Sequence, residues 1–131
     1  MSSLSSKSQL RVGCVGGGQL GRMMALEAPR LNISISFLDP MGADAPAAVA
    51  LSADSSSSLV IKGNLHDPEK LRQLASSSDV VTVEIEHVGV DGLEVLEKEG
   101  VNVQPSSRVV RLIQDKYTQK VRSLKAAVWR E

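Results

Sequence analysis

Apolar and polar positions along the chain switch repeatedly between a strand period and a helix period. Leu10 to Val15 is a short apolar run that ends in glycines, the pattern of a buried strand. From Gln19 to Ala28, Leu20, Met23, Met24 and Ala28 fall at helical spacing, and Pro29 is expected to end or kink that helix. Ile33 to Leu38 alternates β-branched and apolar residues and stops at Asp39-Pro40, which predicts a second strand. Ala43 to Ala53 is Ala-rich enough for one or two helical turns, Ser55 to Ser58 reads as loop, and Leu59 to Ile61 as a brief third strand. Asp67-Pro68-Glu69 combines a capping acid, proline at the first helical position and an acid in the first turn, predicting a helix to about Ala75.

The second half repeats the alternation. Val80 to Ile85 carries the strongest strand pattern. Val90 to Glu99 sets Val90, Leu93 and Leu96 on one helical face, with Gly100 where a C-terminal stop belongs. Val101 to Val103 predicts a fifth strand, closed by Pro105. Ser106 or Ser107 can cap a helix through Ile113, and a further helical stretch covers Lys116 to about Ala127. Strands alternating with helices imply right-handed crossovers and an α/β fold with a mostly parallel, about five-stranded sheet flanked by helices. In such a sheet ligands sit beyond the C-terminal strand ends. The residues to watch are therefore Gly16 to Gly21, Asp39, and Glu84 to His87.

Composition narrows the picture. The 131 residues are 42% hydrophobic and 23% charged, which fits one globular domain and not a disordered chain. The formal net charge is zero, against a nucleic-acid partner and against a polybasic membrane-surface protein. That zero conceals an asymmetry: residues 108–131 hold seven basic and two acidic residues, and the remainder is acidic by the same margin. The single cysteine, Cys14, excludes an internal disulfide, and it reads as a core residue rather than a nucleophile. No apolar run approaches the roughly 18 residues of a membrane span. Residues 1–9 are Ser-rich without an apolar signal core and are expected to be a disordered leader of a cytoplasmic protein.

Two short segments carry candidate chemistry. Gly16, Gly18 and Gly21 form a G-x-G-x-x-G pattern between the first strand and the first helix. Glycine lets the backbone approach an anion, and the helix start offers unpaired N–H groups. Asp39 stands near where a dinucleotide-binding fold keeps its ribose-binding acid. These residues alone admit an NAD(P)-binding module, or a close-packed turn that binds nothing. In Thr82-Val83-Glu84-Ile85-Glu86-His87, Glu84 and Glu86 share one strand face. Paired carboxylates there suit amino or hydroxyl groups, whereas two acids do not by themselves specify a metal site.

Taken together, Gly16-Gly17-Gly18-Gln19-Leu20-Gly21-Arg22-Met23, Val83-Glu84-Ile85-Glu86-His87-Val88 and Arg111-Leu112-Ile113-Gln114-Asp115-Lys116-Tyr117-Thr118-Gln119-Lys120 resemble the phosphoribosylaminoimidazole carboxylase family of fungi. The synthetase half of that family corresponds to bacterial carboxyaminoimidazole ribonucleotide synthase. The resemblance covers about Leu10 to Lys120. It implies a Rossmann-like pre-ATP-grasp domain over residues 10–106 and the start of an ATP-grasp linker over residues 107–120. It further implies a role in purine synthesis, in which the full enzyme carboxylates aminoimidazole ribonucleotide with ATP, bicarbonate and magnesium. By that likeness Gly18, Gln19 and Leu20 line the ribose-phosphate side of the substrate, and Glu84, Glu86 or His87 faces it near the chemistry. Lys116 takes the place of the family's ATP-contacting basic residue, keeping the charge without an arginine fork. Full-length members are expected to be homo-oligomers. Residues 121–131 depart from the family's continuation and are expected to be an atypical tail, of the kind a retained intron would encode. On this reading the chain is the front of a longer enzyme, inactive alone and holding neither ATP nor magnesium tightly. Alternatives are the stand-alone nucleotide module and a non-catalytic dimerisation remnant.

Overall fold

The computed structural model describes residues 9–51, 60–84 and 88–128. Four strands, β1 (Leu10–Val15), β2 (Ile33–Asp39), β3 (Val60–Lys62) and β4 (Val80–Val83), form one parallel sheet in the order β3-β2-β1-β4. Among the described residues five α-helices accompany it: α1 (Gln19–Glu27), α2 (Pro46–Ala50), α3 (Pro68–Ser76), α4 (Val90–Lys98) and α5 (Ser107–Val128). The chain runs outward from β1 through β2 to β3, then returns to the other side of β1 as β4. The crevice between the C-terminal ends of β1 and β4 is thus the topological switch point, where open α/β sheets place their ligands.

Alternation along the strands divides the core into two layers. Val15, Leu38 and Val81 pack with Leu71, Leu74, Leu93 and Leu96 on the face covered by α3 and α4. Cys14, Ile35 and Phe37 pack with Ala25, Ala28 and Ala47 on the face covered by α1 and α2. On the helix side the second layer is built of alanines, set against the larger Ile35 and Phe37 of the sheet. Each fully buried leucine contributes roughly 1.5–3 kcal/mol, and Leu71, Leu74, Leu93 and Leu96 are at most 1% exposed.

Local signals set most element ends. Asp67 caps α3 by accepting the Glu69 N–H at 3.0 Å, with Pro68 at the first helical position. The Ser76-Ser77-Ser78 run closes α3: the three hydroxyls donate to the carbonyls of Gln73, Leu74 and Leu74. Pro29 ends α1 as expected, and a 3-10 turn over Ala28–Leu31 follows. Gly100 adopts φ 89° just past α4.

Two expectations need correction. The sheet has four strands, not about five, because Val103 makes only an isolated parallel bridge to Val81. Its two hydrogen bonds, Val81 N–H to Asn102 O and Gln104 N–H to Val81 O, are both 2.8 Å. The next donor of a parallel ladder would be Ser106, but the chain bends at Gln104-Pro105 and Ser106 caps the following helix, so pairing stops there. The two helical stretches expected after Ser106 are one helix of 22 residues, since Gln114 and Asp115 contain no breaker. That helix runs without interruption across residue 120, where the family-like motif ends. Ser106 supplies the cap, accepting the Val109 N–H at 3.4 Å, while Ser107 is buried and bonded to Glu97. Past Val110 the helix is largely exposed, with Leu112, Ile113 and Leu124 each about half or more open. Ser55 to Ser58, Leu59, Ile85 and Trp129 lie outside the described residues. No helix among those described is long and apolar enough to cross a membrane.

Candidate functional site

β1 ends at Val15 and the chain turns at Gly16, whose φ of 98° is a left-handed conformation that glycine adopts without strain. The turn delivers Gly18 to the N-cap of α1. Because Val15 pairs with Val83, Glu84 emerges from β4 directly beside the glycine turn, and its N–H donates to Val15 O at 3.0 Å.

The Glu84 side chain then closes the loop. The Gly18 N–H donates to Glu84 Oε2 at 2.7 Å and the Gly21 N–H to Glu84 Oε1 at 2.9 Å. Gly18 has no side chain with which to cap its own helix. Glu84 does so from a neighbouring strand, taking the N-cap and third-position donors that a local capping box would satisfy. A β-carbon at Gly18 would lie 3.0 Å from Glu84 Oε1, so any side chain there would press on the carboxylate. On the other flank the Gly17 N–H donates to Asp39 Oδ2 at 2.9 Å, and Asp39 Oδ1 accepts the Met41 N–H at 2.8 Å. Both oxygens of Asp39, the acid expected to meet a ribose, are therefore engaged with local backbone. Three loop donors, at Gly17, Gly18 and Gly21, end on two carboxylates of the chain itself.

Beneath the loop, Cys14 is fully buried and donates to Gly16 O at 3.4 Å. Burial pushes its thiol up to about 12, and the charge of Glu84 adds to the effect. The thiol is thus a core group and not a nucleophile, as its position in the strand suggested.

The structure brings Gly18 and Glu84 into direct contact and leaves Gln19 and Leu20 exposed on the first turn of α1, beside that contact. Each Glu84 oxygen keeps a second lone pair that can accept from a ligand. Glu86 and His87 lie outside the described residues. Lys116 is exposed on α5, well along from the buried Val110. Among the described residues, no group of three or more His, Cys, Asp or Glu could hold a metal ion.

One feature was not anticipated from the sequence. A cleft of about 360 Å³ lies between the β3–α3 loop, the start of α4 and α5, lined by His66, Val88, Gly89, Asp91, Arg111 and Gln114 among others. Gln114 reaches Val88 O at 3.1 Å, and Arg111 bridges Asp91 at 3.0 Å and Glu94 at 2.7 Å. His66 follows β3, so the strand-end rule that selected Glu84 applies to it equally.

Comparison with known proteins gives a consistent result. Residues 10–114 match the model of the ribonucleotide synthetase preATP-grasp domain. The chloroplastic phosphoribosylaminoimidazole carboxylase of Vigna aconitifolia is 47% identical over 115 residues, covering 88% of this chain and 19% of that protein. The N5-carboxyaminoimidazole ribonucleotide synthase of Pseudomonas aeruginosa is 38% identical over 111 residues, covering 85% of this chain and 28% of that protein. Among solved structures, the N5-carboxyaminoimidazole synthase of Aspergillus clavatus in complex with ADP and 5-aminoimidazole ribonucleotide is 41% identical. It superposes with a TM-score of 0.72 over 90% of this chain and 30% of that one. The chain spans about a fifth of the length of the curated carboxylases it matches.

Proposed function

Because the chain belongs to the ribonucleotide synthetase preATP-grasp domain family, we propose that it forms one wall of an aminoimidazole ribonucleotide site in a purine-synthesising carboxylase. The observation that carries this reading is the closed glycine loop at the β1–β4 crevice. A dinucleotide's pyrophosphate would need the donors of Gly17, Gly18 and Gly21, and these face Asp39 and Glu84 instead. The NAD(P) reading is thereby disfavoured. Gln19 and Leu20, on the open first turn of α1, are the positions from which backbone N–H groups meet the substrate's ribose-phosphate. Glu84, with Glu86 and His87 following it, lies toward the aminoimidazole.

In the complete reaction the amine of aminoimidazole ribonucleotide is carboxylated at the expense of ATP. Phosphoryl transfer needs metal ions and cationic clamps around the transferring group. The described residues do not fit a magnesium site: Glu84 is turned onto the loop backbone and no metal-binding cluster accompanies it. We therefore assign ATP and magnesium chiefly to parts of such an enzyme outside residues 10–106, with Lys116 the one ATP contact here. The isolated chain is accordingly inactive, and its place of action is the cytoplasm.

Titration of the purified chain with aminoimidazole ribonucleotide and with NAD, followed by melting temperature, tests the reading. Stabilisation by the ribonucleotide and not by NAD supports it, and the reverse outcome assigns the chain to the dinucleotide binders. ATP- and bicarbonate-dependent turnover by the 131-residue chain would overturn the claim of inactivity.

A further inference from the structure

We propose that Glu84 is a specificity-determining residue that acts as an internal anion, occupying the phosphate position of the glycine-loop helix and so excluding an external pyrophosphate. The G-x-G-x-x-G pattern and the helix that follows it would ordinarily make an anion site, with glycines admitting the phosphate and the helix N-terminus attracting it. Here the attraction is already satisfied. Glu84 takes the N-cap and third-position donors of α1 at 2.7 and 2.9 Å, in the two-pronged arrangement that two oxygens of a phosphate would adopt. Asp39 takes the Gly17 N–H at 2.9 Å. A second anion would meet two negative charges and no open donor at these three positions.

The switch-point topology makes this possible. A glutamate one residue past the end of β4 can reach the loop only because β4 pairs directly with β1, with Val83 opposite Val15. The fit is close, since a β-carbon at Gly18 would touch the Glu84 carboxylate. The glycine spacing is thus retained for a carboxylate that belongs to the protein. This goes beyond the proposed substrate and does not depend on it.

Inorganic pyrophosphate is the probe, and the amide signals of Gly17, Gly18 and Gly21 in an isotope-labelled sample are the readout. In the wild-type chain these signals are expected to show no saturable change. Glu84→Ala, which frees the Gly18 and Gly21 donors while Asp39 keeps that of Gly17, and Glu84→Gln, which keeps the shape and removes the charge, are expected to bind pyrophosphate at the Gly18 and Gly21 amides at least about tenfold more tightly. Circular dichroism identifies which variant retains the fold, and either one suffices. Saturable binding of pyrophosphate to the three amides of the wild-type chain overturns the proposal without any variant. So does a folded variant that gains no affinity.

Discussion

Gly13, in the middle of β1, is the glycine of the V-G-C-V-G-G-G segment that faces no loop, and replacing it with alanine tests how tightly α3 is held to the sheet. A β-carbon there would lie 2.4 Å from Ser78 Oγ, 3.0 Å from Leu74 Cγ and 3.2 Å from Ser78 Cβ. The hydroxyl cannot simply rotate away, because it donates to Leu74 O at 2.7 Å and losing that bond costs about 1 kcal/mol. Leu74 is fully buried within the core cluster. Overpacking of this kind costs roughly 1–3 kcal/mol, against which the lower entropy of the unfolded alanine chain returns about 0.4–1 kcal/mol. With the hydrogen-bond loss of about 1 kcal/mol added, Gly13→Ala is expected to lose about 1–3 kcal/mol, or roughly 3–12 °C in melting temperature for a domain of this size. Urea denaturation of Gly13→Ala, Ser78→Gly and the double variant completes the test. Removing Ser78's side chain should recover part of the loss, giving a favourable coupling of at least about 0.5 kcal/mol. A neutral Gly13→Ala, or zero coupling to Ser78, would refute the packing argument.

Other perturbations follow from the same geometry. Glu97 accepts both the backbone N–H of Ser107, at 2.6 Å, and its hydroxyl, at 2.8 Å, so Glu97→Ala should destabilise the chain by about 1–3 kcal/mol; helical circular dichroism across a urea titration measures it. Arg11 holds the Asp79 carboxyl below its ordinary value of 3.8, chiefly through a side-chain hydrogen bond. Such a group stabilises the fold above its unfolded value, and the benefit disappears as pH falls through the folded one. The melting-temperature gap between wild type and Asp79→Asn should thus be present at neutral pH, close below 3.8, and be small and salt-sensitive because the pair is exposed. Cys14, fully buried with its thiol pushed up to about 12, should react with a thiol reagent only as fast as the domain opens, and rapid labelling under native conditions would contradict its placement.

The fold was legible wherever a local signal coincided with a tertiary need. Asp67-Pro68 starts α3 because cap and proline act within one turn. The β1–loop–α1 unit was readable because glycines, strand and helix adjoin in sequence. Val101 to Val103 reads equally well as a strand, yet only Val103 bridges Val81, since the chain bends at Gln104-Pro105 and Ser106 turns to capping the next helix. The continuous α5 was obscured because Gln114 and Asp115 are polar in an otherwise periodic stretch, and polarity alone does not break a helix. In the site, the sequence showed that Gly18 and Glu84 both end at strand tips. That their atoms meet depends on β4 lying beside β1, a pairing between segments more than 60 residues apart that no local pattern specifies. Asp39 looked like a ribose ligand for the same reason: its position at a strand end was visible, and its bonds to Gly17 and Met41 were not.

The most direct test of the account is a residue-resolved titration of the wild-type chain with aminoimidazole ribonucleotide, with NAD as the control. The account predicts saturable shifts of the Gln19 and Leu20 amides with the ribonucleotide and unchanged glycine-loop amides with NAD. Shifts of the Gly17, Gly18 and Gly21 amides by NAD, with none at Gln19 and Leu20 by the ribonucleotide, would contradict it.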